Sequence, residues 1–349
     1  MASTIVGIDI GSTSVRAVEV SGAEKAKPTI VRFHEVQLPE GSVRRGEVLE
    51  VNTVASALRK LWSSGGFKSR DVSLGMGGPR VFARDLVVPR ASLSQIRESL
   101  PFLVQDQLPV PVADTILDFY PISEDQTEEG VMVNGLLIAA TKESVGANVA
   151  AVMKAGLRPV HMDLIPFALT RALAPIHLNT GLSVLLGVGA NTTNVVVAQN
   201  GVPQFVRIIT SGGDDITRAL VTGLQLEYSQ AEALKRSLGL GSASSAPQAR
   251  PALDIIYGVV GELLSNVRNT LSYYTNSKKN VLLERIIVSG GVAQMPGFTA
   301  ALSERTGLPV VTAQPLGSDQ LARSAKGGNS HEQQDTMSTA FGLALGTAS

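Results

Sequence analysis

The chain has 349 residues, 44% of them hydrophobic and 4% aromatic, with 30 Lys and Arg balanced by 30 Asp and Glu, four histidines and no cysteine. That length accommodates two lobes with separate cores. The zero net charge argues against a protein built to grip nucleic acid, and no run reaches the ~18 uninterrupted apolar residues of a membrane span. Without cysteines, an HExxH pattern, a Cys/His cluster or a cationic-then-apolar leader before Ile5, the sequence predicts a cytoplasmic protein with no disulfides and no histidine-based metal centre.

The first element is 7-GIDIGSTSVRAVEV-20, in which β-branched residues (Ile5, Val6, Ile8, Ile10, then Val15, Val18, Val20) flank the tip Gly11-Ser12-Thr13-Ser14. Taken alone this is a β-hairpin with a structural turn. Helical spacing of Val54, Ala57, Leu58, Leu61 and Trp62 predicts a helix over about 53–63, with Trp62 in the core rather than serving as a stacking platform. A strand at 81–89 leads into a compact block with helix signals at 93–107, strands at 114–120 and 131–140, and a helix at 141–155 ending at Gly156. Pro101 should divide the first of these helices in two, and 123-SEDQTEEG-130 reads as a solvated hairpin loop.

Displacing the first hairpin by 178 positions lays it on 184-VLLGVGANTTNVVVAQNG-201, so that Gly11 falls on Gly189 and Ser14 on Thr192. Two small-and-hydroxyl tips in two lobes suggest two jaws around one ligand. Glycine turns that expose many donors at close approach suit a polyphosphate. Further on, 210-TSGGDDITRAL-220 takes a glycine pair into a helix, and 229-SQAEALKRSLGL-240 opens with Ser229 and Glu232 spaced as a capping box, so Glu232 has a structural role open to it. The Ser/Ala/Pro-rich tract 239–252 reads as a loop, Ile256 to Leu271 as a long amphipathic helix, 286-IIVSGGVAQMPGF-298 as a buried strand entering Gly290-Gly291, and 336–346 as a closing helix.

In this order, the first hairpin, 187-GVGANTTN-194, 210-TSGGDDIT-217, 287-IVSGGVAQMPG-297 and 337-MSTAFGLALG-346 resemble the phosphate, connecting and adenosine motifs of the actin, Hsp70 and sugar-kinase superfamily. The segments 101-PFLVQDQLPVPVADTILDFYPI-122, 162-MDLIPFALTRAL-173, 223-GLQLEYSQAEALKR-236 and 263-LLSNVRNTLSYYT-275 are similar to those of the PilM family of type IV pilus assembly proteins, itself similar to the division protein FtsA. The likeness runs through essentially the whole chain.

The resemblance implies an α/β, two-lobed actin-like ATPase fold with duplicated ribonuclease-H-like lobes. Lobe 1 would take 1–86, 161–180 and 326–349, and a partner-binding subdomain of the FtsA/PilM type would be inserted at 87–160. Lobe 2 would take 181–211 and 286–325, with a helical lid at 212–285. It implies ATP with Mg²⁺ between the lobes. Gly11, Ser12, Thr13 and Ser14 match the first phosphate loop, with Asp9 acting on the magnesium through water, and Gly189, Asn191 and Thr192 match the second. Gly212, Gly213, Gly290, Gly291 and Met295 match the nucleoside-binding turns, and Glu232 and Lys235 match positions near ribose and base.

One departure stands out. Where the superfamily reads Asp-x-Gly in its second hairpin, this chain has Gly187-Val188-Gly189, which weakens hydrolysis more than binding. The expectation is a scaffold with slow or no ATPase activity that recruits the cytoplasmic N-terminal tail of a PilN-like membrane protein. Two alternatives stand beside it. A small-molecule kinase on this fold needs a general base facing the γ-phosphate, and an FtsA-like membrane filament needs a basic amphipathic helix, which 341-FGLALGTAS-349 does not supply.

Overall fold

The computed structural model describes residues 4–25, 27–128, 130–177, 181–241, 249–278, 281–313, 321–322 and 336–346. Lobe 1 is built from β1 (Thr4–Ile10), β2 (Ser14–Ser21), β3 (Thr29–Gln37), the short ribbon β4 (Val43–Arg44) and β5 (Glu47–Val48), α1 (Val51–Gly65) and β6 (Asp71–Met76). The chain then forms β7 (Val81–Pro89), α2 (Leu93–Leu103), β8 (Thr115–Thr127), β9 (Gly130–Thr141) and α3 (Lys142–Lys154), and returns through β10 (Arg158–Leu164) and α4 (Ile165–His177). Lobe 2 comprises β11 (Leu182–Val188), β12 (Thr193–Gln199), β13 (Val202–Ile209), α5 (Gly213–Leu224), α6 (Tyr228–Leu238), α7 (Arg250–Ser277), β14 (Leu283–Ser289), α8 (Phe298–Thr306) and β15 (Val310–Thr312); α9 (Ser338–Leu345) follows.

The duplication seen in the sequence is a duplication of topology. One sheet runs β3-β2-β1-β6-β10 and the other β13-β12-β11-β14-β15. In both, the first three strands are antiparallel and the last three parallel. Strands β11 and β12 are almost uniformly buried because helices cover both of their faces. Val184, Leu186, Val195 and Val197 pack with Ile216, Leu220, Ile256 and Val260 on one side. On the other side, Leu185 and Val196 share a core with Phe167, Leu173 and Phe341 and with Val18 and Val20 of the first sheet. Helices α4 and α9 are therefore a middle layer common to both lobes. The outer face of the first sheet packs Val6, Ile8, Val15 and Ala17 against Val54, Leu58 and Leu61 of α1.

The middle layer is tight because glycines let backbone meet backbone. A Cβ on Gly7 of β1 would fall on the Ala340 carbonyl oxygen and 2.6 Å from Ala344 N, and one on Gly342 of α9 would overlap the Ala168 carbonyl of α4. Arg171 ties the same helices, its Nε donating to Gly342 O at 3.1 Å while its Nη2 pairs with Asp163.

Between β6 and β10 the inserted strands form a three-stranded sheet of order β7-β9-β8 with its own core of Leu86, Ile96, Leu100, Phe119, Val133 and Leu137. Helix α3 faces the other way, burying Ala151 and Val152 in the α1 side of lobe 1. Two expectations for this block are corrected. Pro101 does not divide the helix: α2 continues to Leu103 and Val104 N closes it on Leu100 O at 3.1 Å. So near the C-terminus the proline costs a single backbone bond, and the buried stripe Ile96, Leu100, Val104 holds the turn. The acidic stretch from 123 is largely strand, with β8 pairing β9 out to Thr127↔Gly130 and Asn134 Nδ2 donating to Asp125 Oδ2 at 2.8 Å. The stretch is exposed on an edge strand, where charge suppresses unwanted pairing. Trp62 is half-buried against Phe67, ring centroids 5.0 Å apart, with Nε1 donating to Ser69 O. Half of the tract read as a loop, 242–248, lies outside the described residues, and its end, from Arg250, already belongs to α7.

Glycine substitutions separate the tight layer from open surface. Gly342→Ala should lower stability by about 3 kcal/mol, because the added methyl can only displace backbone. Gly258→Ala in α7 meets no atom within 4 Å and should raise stability by about 0.5–1 kcal/mol. Denaturant unfolding of the two variants is the check, and similar values for both would contradict this account of the packing.

Candidate functional site

Both hairpin tips close by the same bond: Gly11 N donates to Ser14 O at 3.0 Å, and Gly189 N to Thr192 O at 2.9 Å. A Cβ would sit 3.0 Å from Ser14 O at Gly11 and 3.2 Å from Thr192 O at Gly189, so each turn is closed around a glycine. The first tip is seated from below by Leu38 N donating to Thr13 O at 2.8 Å. The second rests on the start of α5, where Gly213 N donates to Gly189 O at 2.9 Å and Asp214 N to Ala190 O at 2.7 Å. Gly212 must be bare, since its Cβ would lie 2.5 Å from Gly189 O.

The lobe 2 residues form one continuous patch. A Cβ on Gly213 would lie 2.8 Å from Val292 and 3.5 Å from Lys235 Nζ. Lys235 Nζ donates to Gly213 O (3.1 Å), Thr217 Oγ1 (2.9 Å) and Glu232 Oε2 (2.6 Å), and Thr217 Oγ1 donates to the same carboxylate at 2.6 Å. The capping box expected of Ser229 and Glu232 is not formed. Helix α6 begins after Glu227, whose N–H donates to Gln230 Oε1 at 3.2 Å, leaving Glu232 one turn inside the helix and turned towards Thr217. Burial alone would raise the Glu232 carboxyl; hydrogen bonds from Lys235 and Thr217 bring it below its ordinary value. Gly290 has φ 96, and a Cβ there would fall on the Val188 carbonyl, while Gly291 is exposed with nothing within 4 Å of its missing Cβ. Met295 is 7% exposed and backs this turn from the lobe 2 core.

The duplicated strands differ where it matters chemically. Asp9 stands opposite Arg16 across β1 and β2, and Gly187 opposite Asn194 across β11 and β12. Asp9 is 9% exposed; burial pushes its carboxyl up, against the pull of Arg16 Nη1 at 3.4 Å. Gly187 lies in ordinary strand conformation, but a Cβ there would sit 2.6 Å from Leu169 Cδ1, a side chain 2% exposed. An aspartate would be driven into the apolar middle layer. Two buried polar atoms at these places have no partner among the described residues, Ser14 Oγ and Asn194 Oδ1.

Sequence reading missed Asp214. It is 7% exposed and accepts hydrogen bonds from Asn191 Nδ2 (2.9 Å), Arg218 Nε (2.7 Å) and Tyr228 Oη (2.8 Å). Burial opposes its ionisation, but the bonds from Arg218, Tyr228 and Asn191 hold it below the usual carboxylate range, while burial and the Asp214 contact push the Tyr228 phenol up. The first aspartate after the glycine pair was the available signal, but its partners include side chains from α6 and from the second tip, which spacing does not reveal. Among the described residues no group of three or more His, Asp or Glu forms a metal cluster, and no helix is long and apolar enough to cross a membrane.

The Asp9 environment carries a signed prediction. A carboxyl whose folded value is raised keeps its proton longer in the folded state, so its contribution is unfavourable above that value and vanishes below the ordinary value of 3.8. Asp9→Asn should therefore raise the melting temperature of ligand-free protein at pH 7, with the gain disappearing below about pH 4. A melting series against pH measures this; a loss of stability at pH 7 would show that the Arg16 contact outweighs burial.

The family model described as type IV pilus assembly protein PilM matches residues 7–348. A solved PilM–PilN type IV pilus biogenesis complex is similar over 99% of this chain and 98% of that one, with 25% identity and a TM-score of 0.85. MreB5 of Spiroplasma citri bound to AMPPNP shares the fold at 11% identity and a TM-score of 0.52, covering 90% of this chain and 92% of that one. The cell division protein FtsA of Bacillus subtilis is 24% identical over 260 residues, which is 67% of this chain and 58% of that protein's length. FtsA of Neisseria meningitidis is 23% identical, over 88% of this chain and 83% of its own. With the doubled sheet, the inserted subdomain and a family match over nearly its whole length, the chain belongs to the PilM family of type IV pilus assembly proteins and has the two-lobed actin-like fold.

Proposed function

We propose that this protein is a nucleotide-binding scaffold of the pilus machine. It binds ATP between its lobes and recruits the cytoplasmic N-terminal tail of a PilN-like membrane protein, which holds it at the inner face of the membrane. The observation that carries the nucleotide reading is the pair of identically closed glycine tips, joined to a lobe 2 patch of bare glycines, Lys235 and Glu232. The residues fit the ligand: Gly11, Ser12, Thr13 and Ser14 on one side and Gly189, Asn191 and Thr192 on the other offer donors to phosphates, and Gly290 and Gly291 leave room for a flat base. Ser14 Oγ, buried without a partner among the described residues, suits the same role. Asp9 is the carboxylate that would hold the water shell of Mg²⁺, and the cation would offset the burial that disfavours its charge.

Magnesium, when bound, neutralises phosphate charge; this chain's own residues bind and orient. What lobe 2 lacks is a second carboxylate facing Asp9, since Gly187 supplies none and its partner Asn194 offers a neutral oxygen. One charge-assisted hydrogen bond to a reacting water is typically worth ~1.5–3 kcal/mol, about 10–100-fold in rate if felt in the transition state. Slow turnover beside retained binding follows.

For the partner, the proposed seat is a cavity of about 310 Å³ where the inserted sheet meets both lobes, lined by Tyr120, Phe167, Thr170, Arg171, Pro203 and Leu345. Tyr120 of β8 and Phe167 of α4 give it an aromatic wall, centroids 4.7 Å apart, suited to a short, partly apolar peptide.

Three measurements test the reading. Mg-ATP at about 100 times its dissociation constant should add ~2.7 kcal/mol to the folded state and raise the melting temperature by a few degrees. Gly11→Val should abolish that rise, because its side chain collides with Ser14 O; no shift in the parent protein removes the nucleotide reading. Titration calorimetry with the tail of the co-encoded PilN-like protein should show Tyr120→Ala weakening binding about 10-fold, the effect of ~1.4 kcal/mol. Unchanged affinity moves the peptide elsewhere. Phosphate release by the parent protein should stay well below about 1 per second; faster turnover restores the kinase or motor alternative.

A further inference from the structure

The mouth of the cleft is crossed by two contacts, and both lead to one carboxylate oxygen. Asn191 Oδ1 accepts from Arg45 N of lobe 1 at 3.4 Å, while Nδ2 of the same side chain donates to Asp214 Oδ2 at 2.9 Å. Arg218 donates through Nε to Asp214 Oδ2 at 2.7 Å and through Nη2 to Glu40 Oε1 of lobe 1 at 3.0 Å. The fixed member of this set is Asp214, 7% exposed and further held by Tyr228 Oη. The Arg218 and Glu40 side chains are 54% and 61% exposed, so their pair contributes little on its own. The buried, fully bonded carboxylate aims them.

Lobe 1 presents its half of the contact rigidly. Arg45 has φ 53, a left-handed conformation that a side chain adopts only when its surroundings impose it. The surroundings are visible: a Cβ on Gly46 would lie 2.5 Å from Gly77 O, and one on Gly78 would lie 2.5 Å from Arg45 O. The ribbon tip is seated on the turn between β6 and β7.

We propose that Asp214 is the positioning residue of a clasp between the lobes, and that the distal phosphate of a nucleoside triphosphate is the ligand group that sets it. The proposal rests on the reading of the 189–192 tip as a phosphate loop. Its direction comes from topology. Glu232 and Lys235 bond to each other, Thr217, Gly213 and Arg236, all in lobe 2, so the nucleoside end engages that lobe. Asn191 at the second tip is where lobe 2 meets lobe 1, so a ligand influences both lobes there only if its phosphate chain reaches that far.

The chain has no cysteine, so Leu49→Cys and Ser237→Cys, both at exposed positions, one in each lobe, add two unique spin-label sites. Distance distributions are measured without ligand, with Mg-ADP and with Mg-ATP, beside affinities for both nucleotides, in the parent and in Asp214→Asn. ATP should shorten and narrow the distribution and ADP should do so less. Asp214→Asn should abolish the narrowing, weaken ATP about 10-fold and change ADP by less than about 2-fold, the loss of one charge-assisted contact felt by one ligand only. Glu40→Gln should weaken ATP by no more than about 3-fold, as expected of an exposed pair. Asp214→Asn with the parent's ATP preference and distances overturns the proposal, as does equal narrowing by ADP in the parent. If the parent binds neither nucleotide, the nucleotide reading fails, and the ligand-free distribution decides the clasp: broadened by Asp214→Asn it stands, unchanged it falls. Arg218→Ala replaces Asp214→Asn should the latter not fold.

Discussion

Everything in this molecule is referred to a backbone-to-backbone contact in its middle layer. Helices α4 and α9 lie between two sheets that would otherwise have no fixed relation, and they can approach only because Gly342 meets Ala168 and Gly7 meets Ala340 and Ala344 without side chains. Close approach of this kind permits few alternative geometries, since packed interiors respond to misfit by displacement rather than compression. The two hairpin tips lie at the far ends of β1 and β11, the strands that this layer holds.

The duplicated halves have been put to unequal use. Lobe 1 keeps a carboxylate at Asp9 at the cost of burying it, and lobe 2 has traded the matching position for a glycine against Leu169. One half therefore carries a buried carboxyl whose ionisation burial disfavours, and the other carries apolar contact. On the scaffold reading proposed above that division suffices, whereas an engine would need charge on both sides.

Much of this was legible in the sequence, and the physical reason is local. The tips and the long helix α7 follow from turn chemistry and periodicity, which span a few residues, and the 178-residue displacement lays Gly11 on Gly189, whose tip bonds prove to be alike. What escaped depends on partners distant in sequence. The Glu232 capping box fails because α6 starts earlier and Thr217 of α5 offers a better bond. The effect of Pro101 was misjudged because the buried stripe beneath it was not visible. Asp214 gained its role from Tyr228 and Asn191, which approach from another helix and another turn.

Two sheets of the same strand order in one chain create a recognition problem during folding, because each apolar strand has a near-copy with which to be confused. The middle layer contains the discriminator. The position of Gly7 in β1 corresponds, after the same displacement, to Leu185 in β11. Helix α9 can lie flat on the first strand, where the Ala340 carbonyl occupies the place of a side chain, but on the second it would meet a leucine. A single glycine thus works as an address, directing the last helix of the chain back to its first strand and away from the copy nearer in sequence.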